Sequence, residues 1–139
     1  MERIAVLGGG SWGTALAVLL AGKGHDVVLW GRSAAAMSDA EARRENSKYL
    51  PGSVFPSTLH ATGDLAAALA DRPTIVTVVP SQSTRAVWQD VAPLVASGTL
   101  VVSASKGIEN GSLETMDEVL TAVAPAGSMG MTRLSMVIR

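Results

Sequence analysis

Six residues near the start of the chain, Gly8-Gly9-Gly10-Ser11-Trp12-Gly13, follow the spacing G-x-G-x-x-G and narrow the available folds more than any other feature. Alone, that spacing is a weak signal. Here it closes a short apolar run at residues 3–7 and opens a stretch of good helix formers at 11–23, ended by Gly22 and Gly24. A second β-branched run follows at 27–30. Strand, glycine turn, helix and strand within about 30 residues make a βαβ unit, and in that context each glycine has a task. Gly8 permits the tight turn, Gly10 lets the backbone approach a pyrophosphate without a side-chain clash, and Gly13 lets the helix pack close to the strand. The N–H groups at the helix start face the anion, and the helix dipole favours negative charge there. The loop reads as a dinucleotide cradle in preference to a plain glycine turn.

The alternation continues along the chain. Ser33 caps a helix to about residue 46, and residues 46–62 read as a loop containing Pro51, Gly52 and Pro56. Asp64 caps a short alanine-rich helix to 70, a third strand spans 74–79 before Pro80, and a helix spans 83–95. A fourth strand covers 99–103, and Ser112 caps a last helix to about 123. Near-continuous apolar strands between helices predict a parallel sheet covered on both faces. Right-handed crossovers then give a doubly wound, mainly parallel, Rossmann-like α/β fold in a single domain. The expected division is a dinucleotide-binding domain at 1–126 and an atypical tail at 127–139, whose apolar residues 134–138 can add a fifth strand.

Composition fits one such domain. At 139 residues and 47% hydrophobic content, an apolar core carries the fold without staples. Eleven Lys and Arg against twelve Asp and Glu leave no basic footprint for nucleic acid. The absence of cysteine excludes disulfides and thiolate metal sites. No run approaches the ~20 apolar residues of a spanning helix, and no secretory pattern opens the chain, so the expectation is a cytoplasmic protein without membrane insertion.

In an open parallel sheet, ligands lie outside the carboxyl ends of the strands. The second strand ends in Trp30-Gly31-Arg32-Ser33, with no carboxylate to accept from a ribose hydroxyl. Arg32 suits a 2′-phosphate or a stack on adenine, favouring NADP, or tolerance of NADP and NAD, over strict NAD; the alternative is a solvated surface arginine. Lys106, after the fourth strand in Ser103-Ala104-Ser105-Lys106-Gly107, lies on the same edge and suits a phosphate or a carbonyl oxygen. Ser81 and Ser83 either meet a ribose or, the favoured reading, cap the next helix. His25 and His60 have no partner at metal-ligand spacing and read as structural or solvated, so no metal is expected. Trp88 falls at helical spacing with Val91 and Val95 and reads as core. No serine stands in a G-x-S-x-G hydrolase elbow.

Four segments, taken in order, resemble the amino-terminal domain of bacterial NAD(P)-dependent glycerol-3-phosphate dehydrogenase. They are Ile4-Ala5-Val6-Leu7-Gly8-Gly9-Gly10-Ser11-Trp12-Gly13-Thr14-Ala15; Leu29-Trp30-Gly31-Arg32; Asn46 with Tyr49-Leu50-Pro51-Gly52; and Val79-Pro80-Ser81-Gln82 with Ser103-Ala104-Ser105-Lys106-Gly107-Ile108-Glu109. The resemblance covers residues 1 to about 126. It implies reduction of dihydroxyacetone phosphate to glycerol 3-phosphate and the reverse, feeding phospholipid synthesis. It also implies that Ser11, Trp12, Arg32 and Tyr49 contact the dinucleotide and that Lys106 serves both cofactor and substrate. A homodimer is allowed by the same reading. The family's acid/base lysine belongs to a helical second domain with no match here, so no catalytic residue is assigned, and the 139 residues are expected to bind cofactor without useful turnover.

Two other readings stay open: a free-standing dinucleotide-binding module, and a related two-domain 3-hydroxyacid or ketopantoate-type reductase. The latter shares the glycine loop but not Ser105-Lys106-Gly107-Ile108-Glu109. From residue 127 the sequence leaves the family's Ser-Gly-Pro-Ser-Phe-Ala continuation; no acid follows Glu118, while Met129, Met131 and Met136 crowd the end. A shifted reading frame is the expectation favoured over a genuinely short protein, and the coding DNA past residue 127 distinguishes them.

Overall fold

The computed structural model of the chain describes residues 1–104 and 132–135. Six strands form one sheet: β1 (Arg3–Leu7), β2 (Asp26–Trp30), β3 (Leu59–Thr62), β4 (Thr74–Thr77), β5 (Leu100–Ser103) and β6 (Thr132–Ser135). Their order across the sheet is β3-β2-β1-β4-β5-β6, and every adjacent pair is parallel. Among the described residues four α-helices accompany them: α1 (Ser11–Gly22), α2 (Ala34–Arg43), α3 (Leu65–Leu69) and α4 (Thr84–Val91). The doubly wound parallel sheet expected from the alternation is therefore present.

Strand alternation divides the core into two layers. Ile4, Val6, Val27, Leu29 and Val76 face α1 and α2, packing with Ala17, Ala21, Met37 and Ala40. Ala5, Leu7, Val28, Trp30 and Ile75 face α3 and α4, packing with Ala68, Leu69, Val87, Trp88 and Val91. Burial of both faces is why β1 and β2 read as unbroken apolar runs. Trp88 is core, as expected, and its indole N–H donates to Thr77 Oγ1 at 3.0 Å.

The sequence reading differs from the structure in several places. Helix α2 stops at Arg43, short of residue 46, because Arg44 turns left-handed (φ 56°). Its guanidinium donates to the carbonyls of Pro56 and Leu59 at 2.9 and 2.7 Å. Strand β3 lies inside the segment read as a loop. It is an edge strand with alternating exposure, so it lacks the continuous apolar signal of its neighbours. Glu41 of α2 covers that edge, accepting from the Ala61 N–H at 2.6 Å and meeting His60 Nδ1 at 2.8 Å. Burial pushes the Glu41 carboxyl up, but hydrogen bonds from His60 and Ala61, with the charges of His60 and Arg44, together hold it below its ordinary range.

The helix read over 83–95 is shorter, with 3₁₀ turns at Ser81–Ser83 and Ala92–Leu94 flanking α4. Ser83 occupies the N-cap position without a side-chain cap bond, so the capping role given to it is not observed; Thr84 Oγ1 instead donates to the Pro80 carbonyl at 3.2 Å. Ser33 and Asp64 do cap, accepting from Ala36 N–H and Ala67 N–H at 3.1 and 3.2 Å. Strand β6 begins at Thr132, ahead of the apolar residues 134–138, and extends the sheet beside β5. The helix read over 112–123 lies outside the described residues, as does Lys106. No helix among the described residues is long and apolar enough to cross a membrane.

Candidate cofactor-binding cleft

From β1 the chain winds to one face of the sheet through α1, and from β4 to the other through α4. Two adjacent parallel strands whose connections part in this way leave a crevice at their carboxyl ends. A cleft of about 480 Å³ lies there, between the glycine loop, the end of β2 and the turn Val78–Val79–Pro80.

The glycine loop is built as its spacing requires. Gly8 has φ +131°, its N–H donates to the Trp30 carbonyl at 2.8 Å, and a Cβ there would lie 2.8 Å from the Val78 backbone. A Cβ on Gly13 would collide with the Gly8 carbonyl oxygen. Both glycines are required by the fold itself. Gly10 is different: its φ is −78°, and a Cβ would meet nothing within 4 Å. Nothing among the described residues needs glycine at position 10, and the open space above it leaves room for a ligand backbone to approach the loop.

Helix α1 starts at Ser11 with no acidic residue in its first turn and no side-chain cap on Gly10. Its first N–H groups and positive dipole end therefore face the cleft without an anion among the described residues. Gly8, Gly10, Ser11, Trp12, Gly13, Arg32 and Tyr49, all expected from sequence, line this one cleft. Trp12 and Tyr49 are 46% and 43% exposed, unlike Trp30 and Trp88, which are buried. Among the described residues, two exposed aromatic faces and two cations, Arg32 and Lys48, border the cleft, and no Asp or Glu lines it. These surroundings fit a polyanion with flat heterocyclic ends.

Two contributors were not singled out from sequence. Lys48 sits with its ammonium 5.1 Å from the Tyr49 ring centroid. A lysine beside Tyr49 in an apparent loop carried no signal of its own. Asn46 entered only as part of the family-like segment. It is buried, and its Nδ2 donates at 2.9 Å to both the Gly9 carbonyl and Thr14 Oγ1. The histidines lie outside the cleft: His25 Nδ1 accepts from the Glu2 N–H at 3.0 Å, and His60 pairs with Glu41.

A parallel sheet of this strand order, with a glycine loop at its switch point and a cation-bordered cleft free of acids among the described residues, has the architecture of a dinucleotide-binding domain. The family described as NAD-dependent glycerol-3-phosphate dehydrogenase N-terminus matches residues 3–135, and the chain belongs to that family. It is 45% identical over 125 residues to glycerol-3-phosphate dehydrogenase (NAD(P)+) of Bacillus thuringiensis, covering 90% of this chain and 37% of that protein. Its fold is similar to the crystal structure of glycerol-3-phosphate dehydrogenase from Coxiella burnetii, with a TM-score of 0.84 and 37% identity, covering 94% of this chain and 38% of that one. A ketopantoate reductase from Ralstonia eutropha shares the fold at a TM-score of 0.70 and 22% identity, covering 96% of this chain and 40% of that one. The chain thus spans little more than a third of the length of its glycerol-3-phosphate dehydrogenase relatives.

Proposed function

We propose that this chain is the cofactor-holding part of a cytoplasmic glycerol-3-phosphate dehydrogenase, which reduces dihydroxyacetone phosphate to sn-glycerol 3-phosphate for phospholipid synthesis. The observation that carries the reading is Gly10: an unstrained glycine with open space above it, at the start of an uncapped helix. The bound dinucleotide supplies a hydride for the ketone carbon, and the oxygen takes a proton. On this reading the α1 N–H groups and Gly10 receive the pyrophosphate, Ser11 and Trp12 flank it, and Tyr49 lies along the cleft wall. Lys106 follows β5 in sequence and is assigned to both cofactor and substrate by the family resemblance. No residue here is assigned the proton transfer, so binding without useful turnover is proposed for these 139 residues alone.

Arg32 is the proposed reader of a 2′-phosphate. It stands two residues past the end of β2, lines the cleft, and has no carboxylate beside it there among the described residues. Arg32→Asp is expected to weaken NADPH binding roughly tenfold to a hundredfold, the scale of a charge-assisted hydrogen bond, and NADH binding far less. Calorimetric titration of both cofactors checks this. Equal losses for the two would remove Arg32 from 2′-phosphate recognition.

A further inference from the structure

The Gly9 carbonyl is held on the protein side of the glycine loop. Asn46 Nδ2 donates to it at 2.9 Å, and Thr14 Oγ1 approaches it at 3.5 Å. Both side chains are buried, at 6% and 0% exposure. A carbonyl oxygen only accepts, so the Asn46 atom facing it is the amide nitrogen, which fixes the orientation of that amide. Its second hydrogen goes to Thr14 Oγ1 at 2.9 Å.

A trans peptide is planar, and its C=O and N–H point to opposite sides. Anchoring the Gly9 carbonyl inward therefore aims the Gly10 N–H outward, where Gly10 lines the cleft. That N–H has no hydrogen-bond partner among the described residues. Residues 9 and 10 are both glycine, so no Cβ resists rotation of the peptide between them. A flipped peptide would set a carbonyl oxygen against the ligand phosphates and turn the donor away.

We propose that Asn46 is a positioning residue that locks the Gly9–Gly10 peptide with its N–H presented to the cofactor pyrophosphate. It also ties that loop to the turn bearing Lys48 and Tyr49, since the Asn46 carbonyl accepts from the Leu50 N–H at 2.8 Å. The assignment rests on the dinucleotide-binding reading above. Asparagine suits the position because one amide supplies both donors; alanine supplies none, and an ionised aspartate adds repulsion against the carbonyl.

The test is NADP⁺ titration of the 139-residue chain and its Asn46→Ala and Asn46→Asp variants, with folding checked by circular dichroism. Both variants are expected to stay folded and to bind NADP⁺ at least tenfold more weakly. Amide-resolved NMR supplies a signature that loss of packing alone does not move. In the unsubstituted chain the Gly10 amide proton shifts downfield on saturation with NADP⁺, and in Asn46→Ala it does not. Should the variants fail to fold, two signals of the unsubstituted chain decide together: a downfield Gly10 shift with the Asn46 side-chain amide protons protected from solvent exchange supports the role, and loss of either overturns it. Unchanged affinity in both variants, or a stationary Gly10 amide at saturation, overturns the positioning role while leaving dinucleotide binding intact. An unsubstituted chain that binds no NADP⁺ removes the dinucleotide reading, and this role with it.

Discussion

Gly10 and Gly13 stand three positions apart, yet the fold requires glycine only at 13, and the proposed cofactor accounts for glycine at 10. Gly10→Ala places its methyl in open space on an unstrained backbone, so the expected stability loss is under ~1 kcal/mol, the scale of an N-cap change. Gly13→Ala drives a methyl into the Gly8 carbonyl and is expected to cost about 1–3 kcal/mol or more. Thermal melts with cofactor titration separate the two: Gly10→Ala keeps its melting temperature to within about 5 °C and loses affinity at least tenfold, whereas Gly13→Ala loses both. An alanine at 10 that binds normally would show that no ligand approaches the loop there. At this scale most of the cleft was legible. The glycines, Ser11, Trp12, Arg32 and Tyr49 have fixed offsets from strand ends or from a family-like segment, and offsets survive in sequence. Asn46 was opaque as a participant because its partners, Gly9 and Thr14, are distant along the chain and meet it only through the turn after α2.

Elements were legible where burial is symmetric. β1, β2 and β4 are buried on both faces, and their apolar runs follow from that. β3 was missed because an edge strand alternates and is too short for alternation to stand out; it exists because β2 offers a free ladder and Glu41 covers the outer side. The other ends of β2 and β4 are joined by charge. Arg72 lies just before β4 with its side chain 8% exposed, and it donates to the Asp26 carbonyl and carboxylate at 2.8 and 2.9 Å. The Arg72 hydrogen bond, with the charges of Arg72, Arg3 and His60 and against the opposing effect of burial, holds the Asp26 carboxyl below its ordinary value. A carboxyl depressed on folding binds fewer protons in the native state than in the unfolded one. Its stabilisation is therefore complete above about pH 5 and is lost as pH falls through about 4 and below. Asp26→Asn is expected to lower stability by about 2 kcal/mol near neutrality, leaving a buried guanidinium without its anion. It is also expected to flatten the decline of melting temperature between about pH 5 and 3. An unchanged slope would mean that the pair contributes nothing to acid sensitivity.

On the scale of the whole molecule, the strand order concentrates the chemistry. β1 and β4 lie side by side at the centre, their connections leave to opposite faces, and the cleft opens where they part. The alternation of apolar strands with helices along the chain was enough to foresee the doubly wound class. The addition of β6 was foreseen only as an option, since residues 132–135 carry no strong strand signal apart from a neighbouring apolar run. The exposed aromatic rings of Trp12 and Tyr49 stand at this cleft, so the molecule carries its own optical reporter. Titration of the chain with NADPH, followed by tryptophan emission, tests the central claim most directly. Trp12 and Trp30 line the cleft while Trp88 is core, so the expected result is saturable quenching at one cofactor per chain, reduced in Trp12→Phe and absent over the same range in Gly10→Ala. No saturable quenching by the folded chain, or identical quenching in Gly10→Ala, would contradict a dinucleotide seated on this loop.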